Sequence, residues 1–214
     1  MNETHVSIPC DENTLEGTLS KPDGNGQYAG IVICHPHPLY GGDMYNNVVE
    51  AVYRELEDSL MVALRFNFRG VGESGGSVAD SSGNLDDIGA AIDYLLTVDG
   101  VDPARIGLVG YSYGAAMTLR YAPNDERVRA IAAISPAMTP VSSDPIQKYD
   151  KPKYFISGEK DGVVPLNKFK YLVGIVAEPK SYRIAAGVDH FWAGHEEVMA
   201  DDVVSFLVKT LVAG

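Results

Sequence analysis

The Gly-Tyr-Ser-Tyr-Gly stretch at residues 110–114 constrains the fold of this chain more than any other feature. It follows an apolar run at residues 105–109, which predicts a strand, and it precedes the helix-prone residues 115–120. A strand, a tight glycine turn and a helix, with a serine at the apex, form a nucleophile elbow. The turn strains the serine backbone, and a side chain on either glycine would collide with neighbouring elements. The pattern therefore predicts Ser112 as a catalytic nucleophile.

The helix that follows Ser112 adds a second feature to this turn. Its first amide groups and the positive end of its dipole point at any negative charge that forms on a substrate oxygen. We therefore expect the backbone N–H of Tyr113 to supply one half of an oxyanion hole. The alternative interpretation is an ordinary strand-to-helix turn, because the G-x-S-x-G pattern also occurs by chance.

Length and charge limit the class of protein. A chain of 214 residues favours one domain, spanning residues 1–214, and 45% hydrophobic with 21% charged residues is typical of a globular, water-soluble chain. The 17 Lys and Arg residues are outnumbered by 29 Asp and Glu residues, which gives a net charge of −12, and no basic cluster occurs. Nucleic acid and anionic membranes are therefore not expected as partners. The oligomeric state stays open.

The sequence predicts a cytoplasmic protein. The first ten residues lack the basic start and apolar core of a secretory signal, and no apolar run approaches membrane-spanning length. The two cysteines, Cys10 and Cys34, are expected to be free thiols in a reducing compartment, although the sequence leaves a disulfide open.

Apolar strands alternate with amphipathic helices along most of the chain. Residues 4–9 and 13–20 predict an antiparallel hairpin at the edge of a sheet. Further strands are predicted at residues 29–34, 61–66, 105–109, 128–134, 153–156 and 181–185, and helices at 44–60, 85–96, 115–120, 166–176 and 196–212. This order predicts an α/β fold with a mostly parallel central sheet and helices on both faces. In such sheets, ligands bind beyond the carboxyl ends of the strands.

A serine nucleophile needs a histidine base and a carboxylate that orients the histidine. Asp161 lies in a turn directly after the predicted strand at 153–156, and His190 lies in the loop after the last strand. The chain order Ser, Asp, His is the one that this architecture uses. We therefore predict Ser112, Asp161 and His190 as a catalytic triad, with Glu159 as the local rival of Asp161. A turn-forming aspartate and a solvated loop histidine are the ordinary alternatives.

The second amide of the oxyanion hole should come from the loop after the strand at 29–34. Pro36 and Pro38 have no N–H, so the backbone N–H of His37 is the predicted donor, with Leu39 or Tyr40 as the alternatives. The His-x-His pair of this loop is a weak metal pattern, because no third ligand completes it. No metal and no cofactor are expected.

Aromatic and apolar side chains surround the predicted site. Candidate substrate-binding residues are Leu39, Tyr40, Tyr111, Phe191 and Trp192. They could line an apolar acyl or alcohol pocket, although several could equally be core residues. The glycine-rich residues 69–76 lack the spacing of a dinucleotide fingerprint and predict a structural loop after the strand at 61–66.

Four segments together resemble the α/β-hydrolase superfamily. They are the Cys-His-Pro-His-Pro-Leu-Tyr-Gly-Gly run at 34–42, the Arg-Gly-x-Gly-x-Ser loop at 69–74, the acid loop at 158–165 and the histidine loop at 187–190. The first of them resembles small, lidless bacterial hydrolases near the dienelactone-hydrolase-like and acyl-peptidase-like branches. The dienelactone branch proper is expected to carry a cysteine nucleophile, and Ser112 at that position favours ester hydrolysis.

This resemblance implies a serine carboxylesterase acting on a small-molecule ester. The segment at 135–150 is too short for the helical cap that many relatives insert there, so no cap domain is expected. A thioesterase or acyltransferase and a short-peptide serine peptidase would use the same residues. A binding protein that keeps the hydrolase fold is the alternative outside enzymes.

Overall fold

An eight-stranded sheet forms the centre of the structure, a computed structural model that describes residues 2–78, 82–138 and 145–213. The strands are β1 (Asn2–Cys10), β2 (Asn13–Lys21), β3 (Tyr28–Cys34), β4 (Val62–Phe66), β5 (Val101–Tyr111), β6 (Val128–Ile134), β7 (Lys153–Gly158) and β8 (Lys180–Ala185). The α-helices are α1 (Asn47–Asp58), α2 (Asn84–Leu96), α3 (Tyr113–Tyr121), α4 (Leu166–Ile175) and α5 (Glu196–Leu207).

The strand order across the sheet is β1-β2-β4-β3-β5-β6-β7-β8. The β1–β2 hairpin is antiparallel and β2 pairs antiparallel with β4, whereas the six strands from β4 to β8 run parallel to one another. The predicted edge hairpin and mostly parallel sheet are therefore confirmed. The elbow strand begins at Val101, earlier than predicted, and the last α-helix ends at Leu207, where a wider helical turn continues to Val212.

The core lies on both faces of the sheet. Alternate residues of the central strands point to opposite faces, so Val32 of β3 packs under α2 and α3 whereas Ile31 and Ile33 pack under α1 and α5. Burial on both faces explains why β3 reads as one continuous apolar run. Cys10 and Cys34 are both free and buried, as predicted.

The segment at 135–150, where a cap would be inserted, is only partly described. Residues 139–144 lie outside the described residues, and the remainder contains one short helical turn at Pro145–Lys148. None of the helices in the described ranges combines the length and apolar character needed to cross a bilayer.

The start of α3 lies directly on the end of β3. A Cβ built on Gly114 would be 2.2 Å from the carbonyl oxygen of Cys34 and 2.5 Å from that of His35. A Cβ on Gly110 would be 2.5 Å from the backbone of Gly114. Both glycines of the pentapeptide are therefore required by close backbone approach, because backbone atoms cannot rotate away as a side chain can.

We expect Gly114→Ala to lower the free energy of unfolding by about 3 kcal/mol, because the new methyl group must push two strand-end carbonyls aside. Urea unfolding monitored by circular dichroism measures this change. Gly174→Ala is the matched control, since no described atom lies within 4 Å of a Cβ there, and it should leave stability unchanged or slightly raised. Equal stability of the two variants would contradict the prediction.

Candidate active site

Ser112 occupies the sharp turn between β5 and α3. Its φ of 53° and ψ of −111° are unusual for a residue with a side chain and cost of the order of 1–3 kcal/mol. The turn is held because the N–H of Ser112 donates to the carbonyl of Ile134 on the neighbouring strand at 2.9 Å, and the N–H of Ala137 donates back to the Ser112 carbonyl at 3.1 Å. The strain therefore persists and keeps the hydroxyl at the carboxyl edge of the sheet.

Three side chains from three different strand ends form one hydrogen-bonded line. Nε2 of His190 lies 3.0 Å from Oγ of Ser112, and Nδ1 of His190 lies 2.8 Å from Oδ2 of Asp161. All three residues are buried. Because an ionised carboxylate only accepts hydrogen bonds, Nδ1 carries the proton and Nε2 is left as the acceptor for the serine hydroxyl. This arrangement allows His190 to remove the Ser112 proton.

The environment of Asp161 keeps its carboxylate ionised. Burial alone would raise its pKa, but the hydrogen bond from His190 and the one from the N–H of Val164, at 2.7 Å, outweigh burial and lower the pKa. The N–H of Val163 donates to the same oxygen at 2.9 Å. Glu159, the local rival, instead accepts from the N–H of Gly187 on the surface. The loop therefore presents Asp161, and not Glu159, to the histidine.

The loop that carries His190 is fixed from both sides. The hydroxyl of Tyr111 donates to the His190 carbonyl at 2.9 Å, and burial, with the nearby charge of Asp161, raises the pKa of Tyr111, so this hydroxyl stays protonated. On the other side, the N–H of Lys160 donates to the carbonyl of Val188 at 2.8 Å. These contacts hold the imidazole between Ser112 and Asp161.

The loop after β3 contains the predicted oxyanion donor, the N–H of His37, and its two alternatives. The N–H of Tyr40 donates to the His37 carbonyl at 3.0 Å, and the N–H of Leu39 donates to Nδ1 of His37 at 3.2 Å. The two alternative oxyanion donors are thus already occupied. In the described part of the chain, neither the N–H of His37 nor that of Tyr113 has a hydrogen-bond acceptor. These two amides are available to a ligand beside Ser112.

A cavity of about 390 Å³ opens above the serine, a size that suits a small organic ligand. Its lining residues are Pro36, His37, Tyr40, Gly41, Gly42, Asn46, Tyr111, Ser112, Val163, His190 and Phe191. Tyr40 is 90% exposed and Phe191 is 64% exposed, so both rings stand at the mouth. Three of the five predicted substrate-binding residues, Tyr40, Tyr111 and Phe191, therefore line the cavity.

The other two predicted substrate-binding residues do not line it. Leu39 is 73% exposed and points into solvent from the short helical turn at Pro38–Tyr40. Trp192 is a core residue: it is 1% exposed, its indole N–H donates to Oγ of Ser135, and it packs among the residues under α5. The physical reason is its left-handed backbone, with φ 62°, which turns the indole inward while the preceding Phe191 faces the cavity.

Some residues of the site were missed in the sequence. Asn46 lines the cavity while its Oδ1 caps α1 through the N–H of Val48, and Val163 lines it from the acid loop. The capping position of Asn46 before an apolar helical pattern was a usable signal.

Asn67 is buried and joins three segments: Nδ2 donates to Oε2 of Glu16 in β2, and Oδ1 accepts from the N–H of Met44. No local pattern indicates such a contact.

His35 is the first residue of the His-x-His pair, and its side chain lies in the core of the protein. Its ring is fully buried, and Nε2 accepts from the N–H of Phe68 at 3.0 Å. Nδ1 therefore carries the proton and donates to the carbonyl of Pro36 at 2.6 Å. Burial lowers the pKa of His35 to about 4, against the opposing effects of the Pro36 hydrogen bond and Asp43. Both ring nitrogens are occupied, so neither is free to bind a metal.

The sequence model of the dienelactone hydrolase family matches residues 75–196, a range that includes Ser112, Asp161 and His190. The chain belongs to the dienelactone hydrolase family. It is an α/β hydrolase by family and by fold.

A curated protein and two solved structures are similar to this chain over most of its length. An uncharacterized protein of Rickettsia prowazekii is 31% identical over 210 residues, which cover 92% of this chain and 85% of that protein. An α/β serine hydrolase homologue from Coxiella burnetii superposes with a TM-score of 0.83 at 29% identity, covering 96% of this chain and 97% of that one. A lidless α/β serine hydrolase from Xanthomonas campestris, with a TM-score of 0.86 and 24% identity, covers 100% of this chain and 97% of its own and shares the fold.

The buried, neutral His35 makes the stability of this dienelactone hydrolase family member sensitive to acid. Unfolding restores the pKa of this imidazole from about 4 to its ordinary 6.5, so the unfolded chain takes up a proton that the folded chain excludes. The contribution to stability is present above pH 6.5 and is lost as the pH falls toward 4. Its full size is about 3 kcal/mol.

We expect the wild type to lose about 3 kcal/mol more unfolding free energy than His35→Gln does between neutral pH and pH 4, because glutamine does not titrate. Urea unfolding of both proteins at the two pH values measures the difference. The unfolding free energy lost through protonation of carboxylates is common to both proteins and cancels. Identical losses in the two proteins would show that His35 is not the titrating group.

Proposed function

We propose that the protein is a serine hydrolase that cleaves small, neutral carboxylic esters through an acyl-enzyme intermediate. The observation that carries the proposal is the hydrogen-bonded line Ser112, His190, Asp161, with contacts of 3.0 and 2.8 Å. Ser112 opens into a largely apolar cavity, beside the N–H groups of His37 and Tyr113, which have no acceptor in the described part of the chain.

The reaction begins at the Ser112 hydroxyl. Nε2 of His190 takes the hydroxyl proton while Oγ attacks the ester carbonyl carbon, and Asp161 stabilises the imidazolium that forms. The N–H groups of His37 and Tyr113 stabilise the negative charge on the carbonyl oxygen, at the positive end of α3. His190 then returns the proton to the leaving alcohol, and the acyl group stays on Ser112. A water molecule then attacks the acyl carbon while His190 takes its proton. His190 returns the proton to Oγ of Ser112 as the acid leaves.

The cavity favours an uncharged substrate. None of the described lining residues is a lysine or arginine, and the sequence has neither in the remaining ranges 79–81 and 139–144. A carboxylate on the substrate would lose water there without gaining a cationic partner, which is costly. The net charge of −12 adds a long-range repulsion of anions.

We expect Ser112→Ala to lower kcat for p-nitrophenyl acetate by about 10⁴-fold or more and to abolish labelling by a fluorophosphonate probe. The matched control is Ser205→Ala, a change at an exposed serine of α5, which should keep both activities. Wild-type protein that neither turns over the ester nor takes the label would contradict the proposal and favour a binding protein.

Ester charge provides a separate test of the cavity. We expect kcat/KM for a neutral p-nitrophenyl ester to exceed that for a carboxylate-bearing ester of equal length by about tenfold or more. The ratio of the two kcat/KM values should fall as salt is added, because salt screens the long-range repulsion between the protein and the anionic ester. Thioester and aminoacyl amide analogues of the same acyl group, assayed in parallel, measure the leaving-group preference. Equal rates for the neutral and anionic esters would contradict the proposed substrate class.

A further inference from the structure

His35 contacts the one peptide unit that supplies the His37 amide. Its Nδ1–H donates to the carbonyl of Pro36 at 2.6 Å, and the N–H of His37 belongs to the same peptide bond. That bond is trans, so its C=O and N–H point in opposite directions in one plane. A hydrogen bond that fixes the direction of the Pro36 carbonyl therefore also fixes the direction of the His37 N–H.

The imidazole itself is anchored independently of the loop. The N–H of Phe68, which follows β4, donates to Nε2, and the Phe68 ring packs edge-on against the imidazole with centroids 4.8 Å apart. Because the ring is fully buried, water does not replace either hydrogen bond. Through His35, the position of the Pro36 carbonyl is therefore fixed relative to Phe68 and the end of β4.

A second contact restrains the same carbonyl from another side. A Cβ built on Gly42 would lie 2.2 Å from the Pro36 oxygen, so residue 42 touches this oxygen at backbone distance. The N–H of Gly42 also donates to the His37 carbonyl at 3.1 Å. Pro38 further confines His37 to an extended backbone, observed as φ −63° and ψ 124°. The peptide units on both sides of His37 are therefore restrained.

We propose that His35 is a positioning residue of the oxyanion site, which holds the Pro36–His37 peptide so that the His37 N–H faces the cavity above Ser112. This inference rests on the proposed ester hydrolysis, in which that N–H binds the charged oxygen. The neutral imidazole is required, because only then does one nitrogen accept from Phe68 while the other donates to Pro36. Without the Nδ1–H bond, the peptide can rotate and the oxyanion loses part of its stabilisation.

Asparagine and glutamine separate the two hydrogen bonds of His35. The amide nitrogen of an asparagine lies where Nδ1 lies in histidine, so His35→Asn keeps a donor for Pro36 but loses the acceptor for Phe68. The amide oxygen of a glutamine reaches the position of Nε2, so His35→Gln keeps the acceptor and loses the donor. Both variants remove the ring and one hydrogen bond, which makes each the control of the other.

We expect His35→Gln to lower kcat for a neutral p-nitrophenyl ester by about 10- to 100-fold with KM changed less than about threefold, since the loss falls on the transition state. His35→Asn should keep kcat within about threefold of the wild type. Affinity for a trifluoromethyl ketone, which forms an oxyanion on Ser112, should fall in parallel with kcat/KM across the variants. Melting temperatures show whether activity merely follows stability.

Gly42→Ala tests the same carbonyl if either His35 variant fails to fold. The new methyl group displaces the Pro36 oxygen and should lower kcat and ketone affinity together, whereas Gly174→Ala should change neither. His35→Gln with wild-type kcat, or Asn and Gln variants that lose kcat equally and in step with their melting temperatures, would overturn the proposal. A wild type that turns over no ester would instead refute the proposed function, so the two failures are distinguishable.

Discussion

The site depends on a contact between backbones at the centre of the sheet. Gly114, in the first turn of α3, lies against the carbonyl oxygens of Cys34 and His35 at the end of β3. This contact joins the serine elbow to the loop that carries the His37 amide. A bulkier residue would separate Ser112, the proposed nucleophile, from the His37 amide of the proposed oxyanion site, even if each segment folded correctly by itself. The glycine therefore sets the distance between two parts of the chain that are about eighty residues apart.

Charge in the site is arranged before any substrate arrives. Hydrogen bonds from His190 and from the N–H of Val164 lower the pKa of Asp161 against the effect of burial, and the ionised carboxylate determines which nitrogen of His190 carries the proton. At the opposite end of the line, the N–H groups of His37 and Tyr113 have no acceptor among the described residues. Such fixed dipoles need no reorganisation when negative charge forms beside them, and reorganisation is a main cost of the same reaction in water. Ser112 thus lies between the Asp161 carboxylate, whose hydrogen bonds are made, and the two N–H groups that we propose bind a negatively charged substrate oxygen.

Much of this architecture could be predicted because its signals are local. Ser112, Asp161 and His190 each follow a recognisable apolar strand, and parallel strands bring their carboxyl ends to one edge. The missing N–H groups of Pro36 and Pro38 excluded these two residues as oxyanion donors, whereas Leu39 and Tyr40 stayed open as alternatives to His37 until the structure showed both of their N–H groups bonded to His37. The error at Trp192 arose at a residue with positive φ: its indole is buried, whereas the ring of the preceding Phe191 is exposed. Leu39 was placed wrongly because it lies on the solvent side of the short helical turn at Pro38–Tyr40. His35 and Asn67 were missed because their partners lie 33 and 51 residues away in the sequence.

The edge hairpin has a consequence for how the enzyme could be reduced in size. Glu16 of β2 holds the Asn67 amide, and Asn67 in turn holds the N–H of Met44, two residues after Gly42 in the loop over the nucleophile. Hydrogen bonds thus connect β2, the second strand from the edge of the sheet, to the loop at the proposed active site. Deleting the β1–β2 hairpin to obtain a smaller protein would remove Glu16 and thereby weaken the contact that holds Asn67 and the loop at Met44. In this small α/β hydrolase, a strand outside the parallel part of the sheet therefore helps to hold the loop that contains His37.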